Sequence, residues 1–130
     1  MREGLGDLPQ IIDPAGYLAD AQMMILPFGS NGHQAGEPVD VASLRVGVDL
    51  GTAYTVLVAL DEQGKVVAGE YAFAEVVRDG LVVDYIGAVD LLREMKKHVE
   101  TRLGCELTHA ASGYPPGVPR AEIRATANVV

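Results

Sequence analysis

The chain is short of basic residues, of cysteine and of long apolar runs, and each shortage closes off a class of function. Ten Lys and Arg stand against 18 Asp and Glu, a formal charge of −8. No basic face is on offer for a phosphate backbone, so nucleic-acid binding is not expected. The one cysteine, Cys105, excludes an internal disulfide and a cysteine-built zinc cluster. It has no basic neighbour to activate it and reads as inert. Met1 to Gly6 lacks the basic start and apolar stretch of a secretory signal. The longest early apolar run, Met23 to Phe28 around Pro27, is far too short to cross a membrane. A cytosolic protein without membrane partners is the expectation. His33, His98 and His109 are scattered, and neither a metal set nor a Ser-His-Asp set can be assembled from them. His33 reads as a linker residue, His98 as part of a solvated helix face and His109 as structural.

What is present is organised around Arg45 to Leu60. Val46–Val48 and Val56–Leu60 are crowded with β-branched residues and read as strands. The tight turn Asp49-Leu50-Gly51-Thr52-Ala53-Tyr54 joins them. Gly51 is expected to take a positive φ and bring main-chain N–H groups close to a ligand. Asp49 ends a buried strand, where a charge is costly unless it meets a cation or donors. N–H donors beside a carboxylate suit a nucleotide's phosphates and Mg²⁺. A plain β-hairpin with Asp and Gly as turn formers accounts for the same residues, and both readings stay open at this point.

The remaining elements follow from the same rules. Asp61-Glu62-Gln63-Gly64 is a turn, and Lys65 to Phe73 is a third strand completing an antiparallel meander. Asp79-Gly80 is a hairpin signal within Val76 to Asp84. Tyr85 to Leu103 has apolar residues three or four apart (Tyr85, Val89, Leu92, Met95, Val99, Leu103), which predicts a helix capped by Asp84 and Gly104. Asp90, Arg93, Glu94, Lys96, Lys97, Glu100 and Arg102 read as its solvated side. Glu106 to Tyr114 is a small-residue strand, followed by the turn Pro115-Pro116-Gly117-Val118-Pro119 and a helix from Arg120. A strand–helix–strand unit predicts a parallel strand beside the first one. The fold class is α/β, a ribonuclease-H-like first half with a mixed sheet. Ligands are expected at the carboxyl ends of the parallel strands, where the Asp49 loop and the Gly113–Gly117 turn would meet.

Residues 1–43 differ in composition, with six Gly, four Pro, six acidic residues and Arg2 as the only base. They read as a flexible extension before a domain over 44–130, with a linker over Ser30–Asp40. Asp13 and Pro14 suit the start of a short helix over 14–26. Tyr17, Leu18, Ala21, Met24, Ile25 and Phe28 would form its apolar stripe. Such a helix either docks in a groove of a partner or packs back on its own domain.

Val48-Asp49-Leu50-Gly51-Thr52 resembles the first phosphate loop of the actin-like ATPase superfamily, which includes DnaK-type chaperones and bacterial actins. Together with Val76-Val77-Arg78-Asp79-Gly80-Leu81-Val82-Val83-Asp84, Gly87-Ala88-Val89, Thr108-His109-Ala110-Ala111 and Pro115-Pro116-Gly117, it is similar to the EutJ family of ethanolamine-utilisation proteins over roughly 44–130. The resemblance implies an ATP-binding, chaperone-like protein of a bacterial microcompartment, with shell or enzyme proteins as partners. It implies that Asp49 holds a Mg²⁺-bound water, and that Gly51, Thr52, Ala53 and Tyr54 offer N–H groups to the phosphates. Ala53 replaces a second Thr of the DnaK-type loop. Pro119 stands nearest the position of the water-orienting carboxylate of bacterial actins, leaving Glu122, one turn later, as the candidate catalytic residue. The family's second phosphate loop and adenosine motif have no counterpart here, so the chain reads as an N-terminal fragment that is inactive alone. A non-catalytic recruiting module and a sugar- or acetate-kinase relative are the alternatives.

Overall fold

The computed structural model describes residues 14–30, 39–79 and 81–130. Along the chain run helix α1 (Pro14–Met24), strand β1 (Ile25–Pro27), a 3₁₀ turn (Val41–Ser43), β2 (Arg45–Leu50), β3 (Tyr54–Leu60) and β4 (Val66–Phe73). The short β5 (Val77–Arg78) and β6 (Leu81–Val82), helix α2 (Tyr85–Leu103), β7 (Ala111–Ser112) and helix α3 (Arg120–Val129) complete it. The expected linker lies largely outside the described residues, as does Gly80.

Alternating burial explains the central meander. Val46 and Val48 of β2, Leu57 and Ala59 of β3, and Ala68 and Ala72 of β4 are buried and share one face. β2 pairs antiparallel with β3 from Arg45↔Leu60 to Leu50↔Thr55, and β3 pairs antiparallel with β4. The turn between β3 and β4 is closed by Asp61, whose Oδ1 accepts from the Gln63 and Lys65 N–H groups, both at 2.9 Å. Gly64 there takes the expected left-handed φ of 79°. β7 pairs parallel with β2 through Gly47↔Ala111 and Val48↔Ser112. The strand order is β1-β4-β3-β2-β7, with β5 and β6 as a separate hairpin. The parallel strand expected from the strand–helix–strand unit is therefore present. It is shorter than expected: only Ala111–Ser112 of Glu106–Tyr114 joins the ladder.

Helix α2 covers the buried face of the sheet. The Gly87 N–H donates to Asp84 Oδ1 at 2.9 Å as the N-terminal cap, and Gly104 closes the other end at φ 69°. Ala88, Leu92, Met95 and Val99 form its buried stripe, with Met95 and Val99 fully inside. Ala88 takes the inner place expected of Tyr85, which is exposed. The Tyr85 hydroxyl instead donates to the Asn128 carbonyl of α3.

The N-terminal part corrects two expectations. The helix expected over 14–26 ends at Met24, and Ile25–Pro27 leave it to pair in parallel with Gly69–Tyr71 at the edge of β4. The expected apolar stripe is only partly covered: Tyr17, Ala21, Met24 and Ile25 are half-buried, while Leu18 and Phe28 are exposed. No residue of α1 is buried, and Leu18 is 65% exposed. Residues 14–30 thus extend the sheet of the domain.

Arg102, placed on the solvated side of α2, turns inward to the Glu70 carboxylate, and His98 reaches the same carboxylate from a side chain that stays 37% exposed. Glu70 of β4 is 1% exposed. Its Oε2 accepts from Arg102 Nη2 at 3.1 Å, and its Oε1 lies 2.9 Å from His98 Nδ1. The Arg102 side chain is only 11% exposed. Burial pulls its guanidinium below the ordinary value, and the Glu70 charge pushes back. The Phe28 ring packs on His98 with centroids 5.5 Å apart. A carboxylate facing the core survives because two donors from α2 reach it.

Candidate nucleotide-phosphate site

The parallel pairing of β2 and β7 fixes where the loops meet. Both strands end on the same side of the sheet, so the turn after Leu50 and the turn after Ser112 face each other. Between them is a cleft of about 310 Å³ lined by Asp49, Leu50, Gly51, Thr52, Val77, Val82, Gly113, Tyr114, Pro115 and Thr126. The β5–β6 hairpin closes it on one flank through Val77 and Val82. The Asp79 backbone takes φ 52° to make that tight hairpin, as an Asp before Gly commonly does.

The loop geometry differs from expectation at Gly51. Its φ is not positive; the residue is small for another reason. A Cβ at Gly51 would lie 2.7 Å from the Tyr54 carbonyl oxygen, so the loop closes only over a glycine. The Gly51 N–H donates to that same oxygen at 2.9 Å. It is thus engaged inside the loop. The Ala53 carbonyl accepts from the Ala74 N–H at 2.9 Å, which ties the loop to the end of β4. The Thr52 and Ala53 N–H groups have no hydrogen-bond partner among the described residues, and neither has the exposed Asp49 carboxylate. Thr52 lines the cleft with Asp49, whereas Ala53 is absent from the lining; an open N–H and a carboxylate there suit phosphate oxygens and a hydrated divalent cation.

Tyr54 contributes backbone only. Its ring turns away from the cleft to meet Phe73 edge-on at 5.6 Å and Tyr71 at 6.2 Å. Glu122 lies in the first turn of α3, where its N–H donates to the Pro119 carbonyl. It is absent from the cleft lining, and Thr126, one turn further along, takes that place. Tyr114 falls within the Gly113–Gly117 turn expected at the site, whereas Thr126 and the two valines of the hairpin were not singled out; helical spacing from Glu122 was the signal for Thr126. Thr55 Oγ1 and Ser112 Oγ are buried without a partner among the described residues; they belong to the strands that border the cleft. Among the described residues no group of His, Cys, Asp and Glu is arranged to hold a metal ion by itself, and no helix is long and apolar enough to cross a membrane.

Comparison with known proteins places the chain. No protein-family model matches it. It is 47% identical over 81 residues to the ethanolamine utilization protein EutJ of Salmonella typhimurium and of Salmonella typhi, and 43% identical to that of Escherichia coli. The matched stretch is 62% of this chain and 29% of each relative. The crystal structure of EutJ from Carboxydothermus hydrogenoformans superposes with a TM-score of 0.74 at 41% identity, over 88% of this chain and 41% of that one. The chain is therefore EutJ-like in sequence and in structure, and its fold is that of the first half of an actin-like ATPase domain. It spans less than half the length of the proteins it matches.

Proposed function

We propose that this chain carries the first phosphate-binding wall of a nucleotide-binding, chaperone-like protein of ethanolamine utilisation. One observation carries the reading: the cleft sets the Asp49–Thr52 loop against the Gly113–Pro115 turn, and Asp49 and the Thr52 N–H in its lining have no partner among the described residues. The residues present suit Mg-ATP. Asp49 would orient water bound to the cation, and the Thr52 N–H would hold a phosphate oxygen. The bound nucleotide would supply the phosphoanhydride bond. Gly51 supports this donor by closing the loop, and Tyr54 by holding it through its carbonyl. The chain offers one wall, so its own affinity is expected to be low. The clients in this proposal are shell or enzyme proteins of a bacterial microcompartment in the cytoplasm.

The test suits weak binding. Mg-ATP is titrated into the ¹⁵N-labelled chain, and amide shifts are followed. The expected response is confined to Gly51, Thr52, Ala53, Gly113 and Thr126, and it disappears in Asp49→Asn. Shifts scattered over the surface, or unchanged by Asp49→Asn, would overturn the reading. A second reading is a recruiting module that does not turn ATP over. It is favoured by Glu122 lying outside the cleft lining, which leaves no carboxylate of α3 there to orient an attacking water.

A further inference from the structure

We infer, resting on the phosphate reading of the cleft proposed above, that Thr126 of α3 is a further phosphate-binding residue whose hydroxyl donates to the anion. The cleft poses a problem of charge. Among the described residues its lining holds no Lys, Arg or His, and Asp49 is an acceptor that repels an anion. A hydrated cation can offset Asp49, but the phosphate oxygens still need donors from the chain. The Gly51 N–H is engaged by the Tyr54 carbonyl at 2.9 Å, which leaves Thr52 as the loop's donor in the lining. Beyond the loop, the polar side chains of the lining are the hydroxyls of Tyr114 and Thr126. Tyr114 stands on the turn and is 55% exposed. Thr126 is half-buried on a helix, and a donor on a rigid element is held more precisely than one on a turn.

The hydroxyl is both fixed in place and uncommitted. Val129, one turn on and so on the same face of α3, is buried in the core, which turns Thr126 toward the domain. The neighbouring Asn128 carbonyl accepts from the Tyr85 hydroxyl of α2 at 3.4 Å, so the two helices are held together there. A helical threonine commonly turns its hydroxyl back on the carbonyl one turn earlier, as Thr101 does on Lys97 at 2.7 Å. Thr126 makes no such bond. Its carbonyl accepts from the Val130 N–H at 3.2 Å, but its hydroxyl has no partner among the described residues. A free hydroxyl can donate to a phosphate oxygen, yet it takes no proton from water at neutral pH. The contribution of α3 is therefore to hold the anion, in keeping with the place of Glu122 outside the lining.

The full chain tests this in amide-shift titrations with Mg-ATP and, separately, with magnesium tripolyphosphate, which carries the phosphates alone. Thr126→Val removes the hydroxyl and keeps the branched shape, whereas Thr126→Ser keeps the hydroxyl. Thr126→Ala, a stronger helix former, is a second variant without it. Amide spectra away from the cleft report that each variant is folded. Losing a hydrogen bond to a charged group costs about tenfold or more in affinity. That loss is expected for Thr126→Val and Thr126→Ala with both ligands, while Thr126→Ser stays within about threefold of the native chain. Native affinity without the hydroxyl, or an equal loss in Thr126→Ser, would overturn the inference, and a persisting effect of Asp49→Asn would leave the phosphate reading standing. A loss with Mg-ATP alone would move Thr126 to the nucleoside and overturn it as well. A native chain with no Asp49-dependent response would sink the phosphate reading and this assignment together.

Discussion

Removing Arg102 should be the most damaging single change to a charged side chain of this domain. Glu70 has a side chain 2% exposed, and Arg102 Nη2 at 3.1 Å is its fully charged partner. Arg102→Met keeps much of the packing volume but leaves the carboxylate with His98 alone. Breaking a buried pair on one side costs about 3–5 kcal/mol, because the remaining charge has lost its water as well as its partner. That is a large share of the roughly 5–15 kcal/mol that holds a domain together. At a few degrees per kcal/mol, the midpoint of thermal unfolding should fall by roughly 10–20 °C. The double variant Glu70→Met with Arg102→Met should recover most of the loss, since apolar residues of similar size often replace a buried pair at little cost. Urea and thermal unfolding followed by circular dichroism measure all three proteins, with Glu70→Met closing the cycle. A loss under about 1 kcal/mol for Arg102→Met, or a double variant as unstable as the sum of the singles, would refute the reasoning.

Two further outcomes follow from single contacts. Glu100 Oε1 accepts from the Leu107 N–H at 2.7 Å and pairs with Lys96 Nζ at 2.8 Å, so Glu100→Ala should cost about 1–2 kcal/mol by freeing the segment after α2. Burial pushes the Glu100 carboxyl up, but the Lys96 and Leu107 bonds and the Lys96 charge outweigh it and hold the carboxyl below its ordinary value. A depressed folded value means stability that is present above the unfolded value and lost as pH falls through the folded one. The gap between native chain and variant in urea unfolding should therefore be full at neutral pH and shrink on acidification below about pH 4. Gly51→Ala should cost about 1–3 kcal/mol by driving a Cβ into the Tyr54 carbonyl, and should remove the Mg-ATP amide shifts while leaving α2 intact by circular dichroism.

How much of this was legible in the sequence depends on how local each cause is. The β2–β3–β4 meander, the Asp61 turn and both caps of α2 follow from residues a few positions apart, and they form where expected. The meeting of the Asp49 loop with the Gly113 turn was also legible, because the handedness of a strand–helix–strand unit leaves one place for β7. What escaped notice has its cause far away in the chain. Ile25-Leu26-Pro27 is too short to announce a strand and continues the helical spacing begun at Tyr17; only Gly69, with no side chain to block Ile25, makes it one. His98 and Arg102 stand among the charged residues of α2 and read as solvated. Their reach toward the sheet is dictated by Glu70, 28 and 32 positions earlier, and only Arg102 becomes largely buried. Glu70 in a run of apolar strand residues was the available clue, since a charge on the inner face of a strand demands donors from whatever packs above it. Asp49 at the end of β2 is different: its carboxylate is exposed, so water answers the charge and the cost expected of burial does not arise. Glu70 is answered from within the fold and is structural. Asp49 lines the cleft beside the Gly113 turn with no partner among the described residues, and that placement, which the sequence alone does not display, is why the loop is proposed as a binding site.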